Sequence, residues 1–167
     1  MRIKILGLSG SPRHGNTDIM VLEALRSAEK EGAETEFVSF VNKEIKPCIS
    51  CKKCQENDGK CFVKDDWLEI RNKFRDSEGV IIGSPVYAGN VTAQLKAYMD
   101  RHFSERKLLI SNEKPLKPFV GGAIAVGAGR HGGQEDTLHQ IRVFFQKKGD
   151  RPYAGEAGLL AGLHEFY

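Results

Sequence analysis

The amino-acid sequence predicts one doubly wound α/β domain over residues 1–167. Apolar segments of strand length alternate with amphipathic helical patterns, which is typical of a parallel sheet covered by helices on both faces. The segments 3–8, 79–83 and 119–126 are almost continuously apolar, as expected for strands buried on both sides. A glycine-bearing loop follows each of them, and such sheets bind ligands outside the carboxyl ends of their strands. At 167 residues, one domain can bury a sufficient core without disulfides.

The first loop, at 9–17, joins the strand 3–8 to a helical pattern and has the composition of a phosphate-binding loop. Gly10 and Gly15 let the backbone approach a ligand, and the free N–H groups and dipole of the helix N-terminus attract an anion. The side chains that can bind the anion are Ser9, Ser11, Arg13, Asn16 and Thr17. Because neither Gly-x-Gly-x-x-Gly nor a P-loop lysine occurs here, a monophosphate is favoured over a triphosphate. An ordinary capped turn is the alternative.

The next elements continue the alternation. The first helix begins at Asn16 or Thr17 and ends near Gly32. Its predicted apolar stripe consists of Ile19, Leu22, Leu25 and Ala28. The segment 35–41 is the predicted second strand. After an irregular segment, Asp65 and Asp66 begin a helix whose apolar face includes Trp67, and we interpret both carboxylates as helix caps rather than catalysts.

The irregular segment, 47–64, is an insertion that carries a candidate metal site. Its four cysteines, Cys48, Cys51, Cys54 and Cys61, have the spacing C-x2-C-x2-C-x6-C. In a reducing compartment such clustering indicates metal binding rather than disulfides. Three cysteines at consecutive x2 spacing are typical of the start of a bacterial ferredoxin motif and favour a four-iron cubane cluster. A structural zinc, which normally uses two separated C-x2-C pairs, and free or disulfide-bonded thiols are the alternatives.

Two further loops complete the predicted ligand crevice. The strand 79–83 runs directly into the loop 84–91, and the strand 119–126 ends in 127–133, where four of seven residues are glycine. We expect the three loops to converge, and a phosphate loop after the first strand fits the flavodoxin-like strand order 2-1-3-4-5. The segment 150–167 shows no convincing fifth strand, so the predicted sheet has four strands or an irregular or exchanged fifth one.

Charge and hydropathy exclude two classes of partner. The net charge of +3 arises from basic and acidic residues mixed along the chain, which gives no electrostatic basis for binding nucleic acid. We interpret the basic stretches 43–46 and 71–75 as solvated faces. Because no apolar run approaches the length of a membrane span and the first strand leaves no room for a signal peptide, we expect no membrane partner and a cytoplasmic protein.

Four motifs carry a family resemblance over residues 1 to about 148. The first is Ser9-Gly10-Ser11-Pro12-Arg13 with Gly15-Asn16-Thr17, and the second is Gly83-Ser84-Pro85-Val86-Tyr87 with Gly89-Asn90-Val91. The third is Leu95-Lys96 followed by Asp100-Arg101, and the fourth is the compact set of four cysteines. Together they resemble the iron-sulfur flavoproteins of anaerobic archaea and bacteria, within the wider NADPH-dependent FMN reductase family. The tail, 149–167, departs from the family pattern.

The resemblance implies two cofactors, FMN and a [4Fe-4S] cluster. In the first loop it implies an FMN site with the phosphate on Ser9, Ser11, Arg13, Asn16 and Thr17, and with Pro12 beside them. Around the ribityl chain and ring it implies Pro85, Val86, Tyr87, Gly89, Asn90 and Val91, with Gly127 on the far side. It implies Cys48, Cys51, Cys54 and Cys61 as the cluster ligands.

The implied activity is electron transfer, with no acid-base dyad and therefore no assigned catalytic residue. Flavin accepts electrons singly or in pairs, whereas an iron-sulfur cluster passes one at a time. The resemblance implies a ferredoxin-like donor, a small acceptor such as oxygen, peroxide or a quinone, and a homodimer or homotetramer. One alternative is an NAD(P)H-dependent FMN or quinone reductase whose cysteines hold structural zinc. Another is a non-enzymatic FMN-binding redox sensor.

Three groups of side chains have separate interpretations. Tyr87 either stacks on the flavin ring or is a core aromatic. Lys52, Lys53 and Lys60 either raise the potential of the cluster or only solvate the loop. His14 and His131 show no metal-binding spacing and receive no role.

Overall fold

A computed structural model describes residues 2–105, 120–148 and 158–159. Its strands form one parallel sheet and are β1 (Lys4–Ser9), β2 (Glu34–Ser39), β3 (Gly79–Pro85), β4 (Val120–Val126) and β5 (Gly158–Leu159). Their order is β2-β1-β3-β4-β5, which confirms the predicted flavodoxin-like order 2-1-3-4-5. The fifth strand has only two residues, which pair with Ala123 and Ile124, and this explains why no strand pattern is visible in that part of the sequence.

Helices cover both faces of this sheet. They are α1 (Asn16–Lys30), α2 (Trp67–Asp76), α3 (Ala93–Arg101) and α4 (Gln134–Lys148). Alternate strand residues belong to different cores: Leu6 and Ile82 pack in the larger cluster with α2, α3 and α4, whereas Ile5 and Ile81 pack in the smaller one with α1. The doubly wound arrangement follows from this alternation, because successive strand side chains point to opposite faces. Among the described helices, none has both the length and the hydropathy needed to cross a membrane.

The predicted apolar stripe of α1 is wrong at Ile19, whose surface is 59% exposed. The buried face instead passes through Thr17, Val21 and Leu25. Two glycines of the sheet make room for this face, because a Cβ built on Gly83 of β3 would lie 2.5 Å from Val21 Cγ2 and one built on Gly7 of β1 would lie 2.7 Å from Val21 Cγ1. Because the strands have no side chain at these positions, this face of α1 packs closely against the sheet. Residue spacing within the helix does not predict which face is buried.

The interpretation of 71–75 as a solvated face is also wrong. Arg71 is buried, and its Nε lies 2.7 Å from Glu105 Oε1, while Arg75 Nη1 lies 3.3 Å from the same oxygen. Glu105 is itself fully buried at the end of the 3-10 turn His102–Glu105. A buried charge needs a partner of opposite sign, and here that partner comes from a segment 30 or more residues farther along the chain.

Candidate functional site

The loops after β1 and β3 are joined by hydrogen bonds at the carboxyl edge of the sheet. Gly10 N donates to the carbonyl of Gly83 at 2.8 Å. The Thr92 hydroxyl donates to the carbonyl of Gly10 at 2.6 Å, and Thr92 N donates to Ser84 Oγ at 3.2 Å. Thr92 also caps α3, because its Oγ1 accepts from Leu95 N at 3.2 Å. One buried threonine therefore sets the position of both loops, and the sequence motifs do not identify it.

Replacing Thr92 with valine is expected to loosen this junction. The change keeps the side-chain volume but leaves the Gly10 carbonyl and Leu95 N–H without their side-chain partner, which costs about 1–3 kcal/mol when the groups are buried. The matched control is Thr137→Val, since Thr137 is equally buried and its hydroxyl has no hydrogen-bond partner in the part of the chain that the structure describes. Urea unfolding should show destabilisation by Thr92→Val and little change for Thr137→Val; equal effects of the two substitutions would contradict the assignment.

The hydroxyls of the first loop have partners inside the protein. Ser9 is fully buried, and its hydroxyl donates to Asp18. Ser11 Oγ donates to the carbonyl of Arg13 at 2.6 Å and accepts from Arg13 N at 3.3 Å, which closes a short turn. His14, to which the sequence analysis assigns no role, places Nδ1 2.7 Å from Asp18 Oδ2. The first loop is therefore held in shape before any ligand binds.

Asp18 is a component of this loop that the sequence analysis missed. Its carboxylate is buried in the first turn of α1, where the helix dipole favours negative charge. Ser39 Oγ on β2 lies 3.5 Å from Asp18 Oδ2, so the carboxylate also contacts a neighbouring strand. The available signal was an acidic residue next to the predicted cap, which by itself is too common to indicate a buried site.

The second loop contains a tight turn. Tyr87 N donates to the carbonyl of Asn90 at 2.9 Å, and Asn90 N donates back to Tyr87 at 3.0 Å. Both central residues have positive φ, 49° at Ala88 and 73° at Gly89, as a type I′ turn requires. Tyr87 is 47% exposed, so the interpretation of this ring as a core aromatic is wrong. The turn presents the ring at the same edge of the sheet as the first loop.

The third loop packs against the second. Gly133 has φ +97°, and a Cβ built on it would lie only 2.7 Å from Gly89 Cα. Gln134, at the start of α4, donates from Nε2 to the carbonyl of Gly129 at 2.6 Å, and its amide occupies the space beside Gly127. Gln134 was not singled out from the sequence. The contact between the two loops therefore depends on the absence of a side chain at Gly133.

One glycine in each of the three loops faces open space. No described atom lies within 4 Å of a Cβ built on Gly15, Gly89 or Gly129. Backbone without a side chain allows a ligand to approach closely at all three places. The carboxyl edge of the sheet therefore provides an open cradle whose walls are held by the bonds described above.

The four cysteines line one pocket on the insertion. Its lining residues are Pro47, Cys48, Ile49, Ser50, Cys51, Lys52, Cys54, Cys61, Phe62, Val63, Arg101, Phe103 and Ser104. All four are free thiols: two are exposed, whereas Cys54 and Cys61 are half-buried. Burial raises the pKa of the Cys54 thiol above its ordinary value, and the neighbouring Cys61 adds to that effect. Within the described ranges, no three His, Cys, Asp or Glu side chains form a group that could hold a metal ion.

Both ends of the insertion are anchored by two buried charged residues. Arg101, in the last turn of α3, donates to the carbonyls of Lys46 at 3.4 Å and Val63 at 3.3 Å, and it forms an ion pair with Asp65. Asp65 in turn accepts from Lys46 N at 2.9 Å and from Trp67 N at 3.2 Å. The carboxylate therefore caps α2, as predicted, and also holds the start of the cysteine segment.

Asp66 has a related role. Its carboxylate accepts from Glu44 N at 2.8 Å and from Lys43 Nζ at 3.3 Å, and these contacts hold the pKa of the Asp66 carboxyl below its ordinary value. Its side chain makes no capping hydrogen bond to α2 within the described structure, so the capping interpretation is wrong for this residue. Here, too, the carboxylate attaches the segment before the cysteines to the body of the domain.

Comparison with known proteins gives two kinds of similarity. Residues 3–149 match the family model described as NADPH-dependent FMN reductase. An iron-sulfur flavoprotein of Methanocaldococcus jannaschii is 52% identical over 144 residues, which cover 86% of this chain and 72% of that protein. An iron-sulfur flavoprotein of Archaeoglobus fulgidus is 40% identical over 90% of this chain and 75% of its own length. One from Methanosarcina thermophila is 44% identical over 83% of this chain and 71% of that protein.

Solved structures share the fold. A flavone reductase superposes with a TM-score of 0.58 at 25% identity, covering 77% of this chain and 44% of that one. RosB with a bound 8-demethyl-8-formylriboflavin-5'-phosphate intermediate superposes with a TM-score of 0.67 at 21% identity, covering 88% and 60%. This chain thus spans less than two thirds of either structure.

Proposed function

Since the chain belongs to the iron-sulfur flavoproteins within the NADPH-dependent FMN reductase family, we propose that it is an electron-transfer flavoprotein with FMN and a [4Fe-4S] cluster. It takes single electrons from a ferredoxin-like donor and reduces a small acceptor such as oxygen, peroxide or a quinone. The observation that carries the proposal is the presence, in one domain, of a three-loop cradle at the sheet edge and a pocket lined by four thiols.

The three-loop cradle supports the proposed FMN site. The phosphate binds at the first loop, where Gly15 is open and the exposed Arg13 supplies positive charge beside the N-terminus of α1. Because Asp18 and Ser9 bond to each other below the loop, the phosphate lies on the solvent side. The remaining residues of the proposed FMN site are Ser11, Pro12, Asn16, Thr17, Pro85, Val86, Tyr87, Gly89, Asn90, Val91 and Gly127.

The cysteine pocket supports the cluster. Cys48, Cys51, Cys54 and Cys61 line one pocket and supply four thiolates. Their spacing, C-x2-C-x2-C-x6-C, includes three cysteines at consecutive x2 steps, as in bacterial ferredoxin motifs, whereas a structural zinc normally uses two separated C-x2-C pairs. When bound, flavin exchanges electrons singly or in pairs and the cluster exchanges them one at a time, so together they couple one-electron donors to two-electron acceptors.

With a quinone as acceptor, two reduced ferredoxins give up one electron each, and the quinone takes both electrons and two protons to become a quinol. We place this reaction in the cytoplasm, where reducing conditions keep exposed thiols such as Cys48 and Cys51 available as ligands. We also propose a homodimer or homotetramer, as the family resemblance implies.

The composition of the anaerobically purified protein tests the proposal. We expect about four iron ions, about four sulfide ions and about one FMN per chain. A yellow protein with one zinc ion per chain would instead support the NAD(P)H-dependent reductase. Stopped-flow measurement of flavin reduction then compares reduced ferredoxin with NADPH, and the proposal requires faster reduction by ferredoxin. Failure of both donors to sustain turnover of an artificial acceptor would support a non-enzymatic sensor.

A further inference from the structure

Arg101 is the buried basic residue in the wall of the cysteine pocket. Its side chain is 1% exposed and lies over the ring of Trp67, with the guanidinium carbon 4.8 Å from the ring centroid. It lines the same pocket as the four cysteines. Two of its nitrogens bond to Lys46, Val63 and Asp65, as described above. Its Nε, also buried, has no hydrogen-bond partner among the described residues.

This arrangement leaves one buried donor of Arg101 without a hydrogen-bond acceptor among the described residues. A buried donor without a partner and a buried guanidinium each carry a desolvation penalty. Asp65 compensates the charge of Arg101 but leaves the Nε proton donor unused. A cluster held by four thiolates carries negative charge, and the positive charge of Arg101 in the pocket wall attracts it.

Building on the proposed function, we propose that Arg101 is a positioning residue for the cluster that also makes it easier to reduce. It joins the segments before Cys48 and after Cys61, and it brings a positive charge to the wall of the cysteine pocket. Added positive charge favours the reduced cluster, because reduction adds one negative charge.

The lysines of the insertion cannot replace this residue. Lys52, Lys53 and Lys60 are exposed, and water and salt screen their charges. Arg101 acts instead through the interior of the protein, where charges interact more strongly over the same distance. Arg101 raises the midpoint potential of the cluster, whereas Asp65, which contributes a buried negative charge to the same ion pair, lowers it.

Redox titration of the anaerobic holoprotein, followed by electron paramagnetic resonance, tests the proposal. Arg101→Gln should reduce the equilibrium constant for cluster reduction about tenfold, equivalent to about 59 mV for one electron. Asp65→Asn should shift the midpoint potential upward, and Arg101→Lys, which keeps the charge, should return it toward the wild-type value. The surface control Lys60→Gln should shift the potential less than Arg101→Gln does.

A purely anchoring role predicts a different pattern. Arg101→Gln and Asp65→Asn would then both weaken the insertion and reduce iron content, without opposite shifts in potential. That pattern, or an unchanged potential in iron-loaded Arg101→Gln, overturns the proposal. If Arg101→Gln does not retain iron, the midpoint potentials of the Asp65→Asn and Arg101→Lys variants test the proposal instead. Wild-type protein without iron would instead reject the proposed function itself, so the two failures are distinguishable.

Discussion

Replacing Cys54 with serine is expected to remove the iron-sulfur cluster while FMN stays bound. Cys54 lies in the 3-10 turn Lys53–Glu56, and its carbonyl accepts from Asn57 N at 3.3 Å and Gly59 N at 3.0 Å, so its backbone is held in place. Serine has nearly the same size but offers a protonated hydroxyl, which is a poor substitute for the thiolate that binds iron. The half-buried position of Cys54 makes replacement by a solvent ligand harder than at the exposed Cys48.

Iron, sulfide and flavin assays of anaerobically prepared protein measure the result. We expect loss of nearly all iron with about one FMN per chain retained, because the proposed FMN site uses no residue of the insertion. The matched control is Glu56→Gln, an exposed change in the same turn that removes no sulfur. Full iron content in Cys54→Ser would show that this cysteine is not a ligand, and loss of both cofactors would show that the substitution acts through folding.

Replacing Gly133 with alanine is expected to separate the second and third loops and to weaken FMN binding at least tenfold. The added Cβ would lie 2.7 Å from Gly89 Cα and 3.1 Å from Val86 Cγ1, so backbone must move to accept it. The φ of +97° adds a conformational cost of about 1–2 kcal/mol for a residue with a side chain. A tenfold loss corresponds to only about 1.4 kcal/mol of binding free energy.

The chain provides a control for this prediction in the same loop. Gly129 is not one of the described glycines with positive φ. A Cβ built on it meets no described atom within 4 Å. Gly129→Ala should therefore leave the thermal stability of the FMN-free protein almost unchanged, whereas Gly133→Ala should lower it. FMN titration by fluorescence quenching measures the affinities. Equal stability and wild-type FMN affinity in Gly133→Ala would show that the contact between the loops does not shape the site.

The fold class was predictable because the positions of strands, helices and loops depend on properties of local segments. Continuous apolar runs mark strands buried on both faces, and the glycine-bearing loops mark their carboxyl ends. The helix faces were less predictable. Ile19 matches the helical period as well as Val21 does, yet two glycines of the sheet make room for Val21, which is buried. A choice between two apolar faces of one helix depends on the surface opposite it, which the local sequence does not contain.

The residues of the candidate site also differ in whether the sequence identifies them. The four cysteines and the first two loops were visible as motifs, whereas Thr92, Asp18, Gln134 and Arg101 were not assigned roles in the site. Thr92 and Arg101 act through contacts with distant segments, and the Thr92 bond to Gly10 spans 82 residues. Asp18 contacts Ser39 on another strand, whereas Gln134 acts within its own loop through Gly129. Polar residue types of this kind occur throughout any sequence, so only their burial and partners distinguish them.

By itself, the sequence determined the fold class and the compact set of cysteine thiols, because hydrophobic period and residue spacing are local properties. Only the tertiary structure decided that Arg101 and Asp65 hold both ends of the insertion and that Gly133 packs on Gly89. The physical reason is that buried charges and close backbone contacts are stable only when residues far apart in sequence supply the matching partner or the empty space.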